Sequence, residues 1–200
     1  MIPVETAPTP IRQAIVKAAF EEFLLRGYQG GSINRIISAA GATKGALFHH
    51  FSGKKALGMA VLDEVIIPEV QEHWVQPMDA TNDPAAGLIA CLEKGKEHIE
   101  EHVKFGCPLG NMSQEMSPLD EEFRLKIEEG YDQWRNSLVG ALERGQAAGN
   151  VRQDVKPIDV AAFVLSSLTG MLANAKNAQS TELLLASAHG LMGYMNSLRP

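Results

Sequence analysis

The sequence predicts an all-α fold of about nine helices, arranged as a small N-terminal head and a larger C-terminal body. Three observations carry that expectation. Apolar residues recur at intervals of three and four along most of the chain, and no segment shows the strict alternation of a strand. The stretch Ser32 to Phe51, SINRIISAAGATKGALFHHF, reads as two short helices about a tight turn, the pattern of a helix-turn-helix. Charge is polarised: residues 1–56 hold seven Lys and Arg against three acids, net +4, whereas the remainder holds 11 against 21, net −10. A basic head on an acidic body suits a DNA-binding domain fused to a domain with another task. The acidic body would be repelled by phosphate, which favours one docking orientation.

The first helix is expected from Pro10 or Ile11 to Arg26, capped by Thr9 and ended by Gly27, with Ile11, Ile15, Ala18, Ala19 and Phe23 on one face. Ser32 caps the second, which carries Ile33, Ile36, Ile37 and Ala40 inward. Gly41 breaks it, because glycine tolerates the left-handed conformation at a helix end. Thr43 caps the third, with Leu47 and Phe51 inward. A fourth helix opens at Lys54 and runs to about Val75, with a kink expected at Pro68, which lacks an amide proton. Pro77 to Asp83 reads as a turn. Asp83-Pro84 starts the next helix, which ends near Phe105-Gly106. Cys107 to Ser117 is punctuated by Gly and Pro, with a short helix expected over Asn111 to Met116. Ser117-Pro118 caps the longest amphipathic segment, which runs to Gly149-Asn150. Two final helices are expected from Pro157 to about Asn177 and from Thr181 to Leu198.

A chain of 200 residues accommodates one or two domains with a real core, here divided as 1–56 and 57–200. The 45% apolar and 21% charged content is that of an ordinary globular protein. No apolar run is expected to reach the ~20 residues that cross a bilayer, so no membrane association is expected. The opening MIPVETAPTP lacks the basic region and apolar core of a signal peptide and reads as a short disordered arm. Two cysteines exclude a disulfide framework and suit a reducing cytoplasm.

The run Gly41 to Phe51, with Lys54 and Ala56-Leu57 after it and Ala18-Ala19, Phe23 and Gly27-Tyr28 before it, resembles the TetR family of bacterial transcriptional regulators over about Ile11 to Val61. The resemblance implies a dimeric regulator, a repressor released from a palindromic operator when the body takes up an effector. Lys44, at the start of the recognition helix, is the foremost candidate for a base-edge contact, with His49 and His50 further along. Gly45 and Ala46 are small enough for close approach to the groove. Ser32, Thr43 and Lys54 are candidates for phosphate contact through side chains and helix-end amides. Asn34 aligns with a family position that can reach a base. The family usually carries Tyr where this chain has Phe48, which is expected to keep the packing and lose a phosphate bond.

In the body, Gly106-Cys107-Pro108-Leu109-Gly110-Asn111, with Ser113, Glu115 and Ser117, resembles a TetR subgroup, some of whose members sense oxidants or electrophiles. Lys104 and His102 lie within a turn of Cys107, and cations favour the reactive thiolate. The alternative for Cys107 is a small packed residue. Cys91 sits on an apolar helix face. If the intervening helix is continuous, the two residues are ~24 Å apart along its axis, against the ~7 Å between alpha-carbons that a disulfide allows. The pattern His98-Ile99-Glu100-Glu101-His102 matches the H-x-x-E-H of inverted zinc peptidases, which leaves a metal-dependent enzyme or metal-responsive protein as the rival. A third ligand is not apparent, so no metal, cofactor or catalytic residue is expected. Phe105, Met112, Met116, Phe123, Tyr131, Trp134 and Phe163 are candidates to line an effector cavity, or simply to form core. The last two helices, rich in small residues, are expected to pair with those of a second copy, which sets two heads about one DNA turn apart.

Overall fold

The computed structural model describes residues 9–200, so the first eight residues of the expected N-terminal arm lie outside the described residues. All regular structure among them is helical. Helix α1, Pro10–Gly30, begins with Pro10 in its first turn and the Thr9 hydroxyl accepting from the Arg12 amide. It is interrupted at Gly27, whose φ is +73°. A side chain there would be strained, and a Cβ would lie 2.8 Å from Glu115 Oε2. Helices α2, Ile33–Ala39, and α3, Lys44–His50, follow with Ser32 and Thr43 as caps. Ile36 and Leu47 are fully buried against the α1 face that holds Ile15 and Ala19. Glu22, buried on α1, accepts from the Ser32 amide at 3.0 Å and from Arg35 Nε at 2.7 Å, and so ties α1 to the start of α2.

Helix α4 occupies residues 54–79 and joins head to body. It starts as Lys54–Val61, then alternates wide π-turns, Leu62–Ile66 and Gln71–Val75, with ordinary turns, Ile67–Val70 and Gln76–Asp79. Each wide turn ends two residues before a proline, Pro68 or Pro77. A proline ring clashes with the carbonyl four residues back and donates no hydrogen bond, and an i→i+5 turn relieves both. This corrects two expectations. Pro68 is absorbed by a widened turn, and the helix passes Val75 and Pro77 to end at Asp79. Arg144 meets one of its last carbonyls, donating from Nη2 to Met78 O at 2.7 Å, and also donates from Nε to Thr81 O just beyond the helix at 3.2 Å.

Helix α5 covers 84–105, as Pro84–Gly95 and Ile99–Phe105 around the 3-10 turn Lys96–His98. Helix α6, Pro108–Met116, takes in residues expected to form a loop. Helix α7, Glu121–Ala147, is capped by Asp120 rather than at Ser117-Pro118. Helices α8, Pro157–Ala178, and α9, Thr181–Asn196, close the chain. The long α7 is central, packing on α8, on α6 and on the second half of α4. Contrary to expectation, α8 is long and apolar enough, by length and composition, to cross a membrane, with a mean hydropathy of 1.5 over its most apolar window. In the fold its Val160, Ala161, Val164 and Leu168 are core.

Head and body meet at Tyr28, whose ring lies 5.2 Å from that of Phe23 and 4.8 Å from that of Phe123. Gly58 admits this contact, since a Cβ there would meet Tyr28 at 2.6 Å and Phe123 at 2.8 Å. Around it run ion pairs from Lys55 to Asp120 and Glu122, and from Lys126 to Asp63.

Burial opposes the charge on Glu22, but Arg35, the Ser32 amide and Arg26 outweigh it and hold the carboxyl below its usual range. A depressed folded pKa stabilises the head above the unfolded value, and that contribution disappears as pH falls through the folded one. Glu22→Gln is expected to cost on the order of 1–2 kcal/mol at neutral pH, Arg35 being half exposed. The difference from the unmodified chain should close in thermal melts below the ordinary carboxylate range near pH 4.

Candidate DNA-binding face and effector cavity

The outer face of α3 presents Lys44, Gly45, Phe48 and His49 to solvent, while Leu47 anchors the inner face. The Thr43 hydroxyl accepts from the Ala46 amide at 3.1 Å, and Thr43 itself is exposed beside Lys44. Asn34 is exposed on α2, and Ser32 and Ala46 are half-buried. Phe48 is 47% exposed, one turn from Lys44, so it does not keep the packing expected of it. Two candidates point elsewhere. His50 shares a 3.3 Å hydrogen bond with the Thr9 hydroxyl at the start of α1. Lys54 donates to Gln29 O at 2.9 Å and lies 5.0 Å from the centre of the Tyr28 ring, where burial lowers its pKa. The basic residues Arg12 and Arg35 are tied to Glu64 and Glu22.

A cavity of about 660 Å³ lies between α4, α5, α8 and α9 and extends to α1 of the head. Of the expected lining residues, Phe105, Cys107 and Trp134 are in its wall. Met112, Met116, Phe123 and Tyr131 are not: the first three are core, and Phe123 faces Tyr28 of the head. Tyr131 lies near Gly110, its phenol pushed up to about 12 by burial first and then by Cys107. Phe163 is 50% exposed on α8 and meets Tyr194 edge to face, away from the cavity. The wall instead draws on residues the sequence did not single out: Leu24 and Leu25 of α1, Val70 and His73 of α4, Leu172 of α8 and Ala188 of α9. Alternation of apolar and polar positions marks these helices but not which apolar positions leave space between them.

Cys107 caps α6, its sulfur accepting from the Gly110 amide at 3.4 Å. Burial pushes its thiol up against the amides of Gly110 and Leu109, and the acidic Glu69 adds to the rise. The expected cations do not act there: Lys104 lies over the Phe105 ring at 4.9 Å, and His102 has its own pKa lowered by burial. Cys91 is buried with its thiol pushed to about 11, and both cysteines are free. His98 is exposed and 3.8 Å from Glu101. No group of three or more metal-ligating side chains gathers among the described residues.

The far end of α6 carries Glu115. Its two carboxylate oxygens accept from the backbone amides of Tyr28 and Gln29, each at 2.7 Å. One short helix therefore runs from the cavity wall at Cys107 and Pro108 to the end of the head's first helix.

Residues 15–61 match the model for bacterial regulatory proteins of the tetR family, and residues 84–189 match the tetracyclin repressor-like C-terminal domain. The transcriptional repressor DhaR of Mycobacterium sp. strain GP1 is 31% identical over 89% of this chain and 88% of its own. A TetR regulatory protein from Rhodobacter sphaeroides superposes with a TM-score of 0.81 at 22% identity, covering 93% of this chain and 99% of its own. The TetR-family regulator CifR, solved with double-stranded operator DNA, superposes with a TM-score of 0.77 at 20% identity, covering 91% and 95%. The chain belongs to the TetR family of bacterial transcriptional regulators, and it is a DNA-binding regulator rather than an enzyme.

Proposed function

We propose that this protein is a cytoplasmic, homodimeric repressor that α3 seats on a palindromic operator and that a reversibly bound small molecule in the cavity releases. The observation that carries the reading is α6, with one end in the cavity wall and the other holding two amides of the head through Glu115. A ligand that favours a shifted position of α6 changes the orientation of the head without touching DNA. By linkage it shifts the equilibrium only by its differential affinity for the two states. The cavity also reaches Leu24 and Leu25 on α1, so a ligand there bears on the head directly.

On the DNA side, Lys44 lies on the exposed α3 face with no ion-pair partner among the described residues, Phe48 offers an apolar contact of the kind that reads a thymine methyl, and His49 and Asn34 flank them. Thr43 and Ser32 serve the phosphate backbone, and Gly53, which caps α4 with no side chain, leaves room for phosphate to approach. Dimerisation through α8 and α9 is supported by their outward faces. Ile158, Phe163 and Leu183 are 51%, 50% and 40% exposed, and Cβ atoms at Gly170, Gly190 and Gly193 would meet open space. Covalent sensing at Cys107 is disfavoured, since its thiol is raised by burial and serves as a cap.

Genomic fragments selected by the purified protein should bind it tightly and with strong salt dependence. Lys44→Ala should weaken that binding roughly 10- to 100-fold and reduce the salt slope, measured by fluorescence anisotropy. Unchanged affinity would remove α3 as the reading helix. In a screen of apolar compounds for release of the same DNA, Ala188→Trp should weaken the response to the active compounds while operator affinity stays within about threefold, because the indole takes up part of the cavity. A compound whose action is unchanged in this variant binds elsewhere. Cys107→Ser keeps an oxygen cap and should respond to active compounds as the unmodified chain does; loss of the response would restore covalent sensing.

A further inference from the structure

Two imidazoles converge on one glycine in the cavity wall. His73 comes from the second wide turn of α4, and His102 from the last turns of α5. Gly95 stands two turns before His102 on α5, so the two share a helix face, along which side chains lean towards the N-terminus. All three residues line the cavity. A Cβ at Gly95 would lie 3.7 Å from His73 Nε2 and 3.9 Å from His102 Nε2, the nearest side-chain atoms to that point. The missing side chain therefore clears the approach to both nitrogens. Both histidines are half-buried, and neither has a ring nitrogen that is at once fully buried and unpartnered. A ring nitrogen here that lacks a protein partner is one that another molecule can reach. The Cys91 backbone takes a hydrogen bond from His73, whereas His102 is held by none among the described residues.

Burial first, and then Lys94 and the neighbouring histidines, hold His73 towards the neutral form; burial and His98 do the same for His102 against Glu101. A neutral imidazole donates through one nitrogen and accepts through the other. A hydroxyl does both, so it fits such a ring in either tautomer. Ions fit less well. The buried wall, including Val70, Leu92, Leu172 and Ala188, is apolar and offers no counter-charge. Among the exposed members, Glu21, Glu69, Glu72 and Glu101 outnumber Lys94 and Lys96, and Lys96 is paired with Glu93 at 2.7 Å, so an anion is repelled. The half-buried rings of Phe20, Trp74 and Phe105 in the same wall offer flat apolar surface to an aromatic ring.

We propose that the cavity takes an uncharged aromatic molecule with a phenolic hydroxyl, which exchanges hydrogen bonds with His73 and His102 beside Gly95 while its rings lie among the apolar walls. The proposal rests on the cavity being the effector site and assigns the chemistry of its occupant.

The pair 2-naphthol and 2-methoxynaphthalene tests it, since methylation removes the hydroxyl donor, with 2-naphthoate and 2-naphthylmethylammonium as charged counterparts. Equilibrium dialysis against the full-length protein at neutral pH measures all four. Naphthol is expected to bind saturably and about tenfold more tightly than its ether, the ratio that one hydrogen bond supplies. Both ions are expected to bind more weakly than naphthol. His102→Phe keeps a ring and removes its nitrogens. Gly95→Ala places a methyl at ordinary contact distance from both imidazoles, at a helical φ of −61°, so the fold accepts it while the approach closes. Each variant should keep a cooperative thermal melt and lose the preference for naphthol over its ether; either suffices should the other fail to fold. Equal affinities for naphthol and ether in the unmodified chain, tighter binding of either ion, a preference that survives in a folded variant, or no binding of any probe would overturn the proposal. Operator anisotropy, run separately, keeps the two readings apart. Naphthol that binds through His102 but never releases DNA would count against the cavity as effector site and leave the ligand chemistry standing.

Discussion

The contact on which the rest depends is the carboxylate of Glu115 against the amides of Tyr28 and Gln29. Those amides exist as free donors because Gly27, at φ +73°, breaks α1 just before them, and a helix break leaves backbone N–H groups that must find acceptors. A charged acceptor meeting two such donors is among the stronger hydrogen-bonding arrangements available to a protein. It is also directional, so it fixes orientation as well as distance. The Tyr28 ring, held between Phe23 and Phe123, fixes the same point from its apolar side. Head and body are therefore registered at one corner by both kinds of force. The exposed pairs Lys55–Asp120 and Lys126–Asp63 add little energy of their own, being solvated and screened, but they favour the same register.

The second connection between the two halves is α4, and its character is different. A helix with two prolines would ordinarily bend or stop. Here each proline is preceded by a π-turn that accommodates the missing donor, and Ser137, between Val75 O at 3.0 Å and the Asp79 carboxylate at 2.8 Å, helps hold the far end to α7. The wide turn Gln71–Val75 contains His73 and Trp74, which are in the cavity wall, while the first turns of the same helix bury Leu57 and Val61 in the head. Wide turns have poorer hydrogen-bond geometry than α-turns and concentrate at functional positions. In the proposed mechanism α6 passes its shift to the head through the corner at Glu115, and α4 is the second connection, whose wide turns can change spacing to accommodate that shift.

How much of this is readable in the chain divides along a physical line. The all-helical fold, the helix-turn-helix and the caps at Thr9, Ser32 and Thr43 are legible because they depend on residues within one or two turns of each other. The same is true of polarised charge. What is not legible depends on direction across space. Lys54 reads as a phosphate ligand but turns inward to Gln29 O, since α1 ends beside it. Cys107 reads as a thiol among cations, yet a proline after it starts a helix and converts the sulfur to a cap. The aromatic and Met residues of α6 and α7 have the composition of a ligand site, but Met112 and Phe123 meet other side chains closely, and a filled volume cannot be a cavity. The cavity arises where α4, α5, α8 and α9 fail to close, a property of helix spacing that no periodicity encodes.

The two proposed activities rest on forces that hardly interfere. Operator binding draws on the basic head and phosphate charge and weakens with salt. Occupation of the cavity draws on apolar burial and is nearly indifferent to salt. An uncharged ligand does not compete for Lys44 and does not alter the net charge that the DNA meets. It can act only through geometry, which places the burden on the carboxylate at the end of α6. The acidic excess belongs to residues 57–200, yet the buried part of the cavity wall carries no charge.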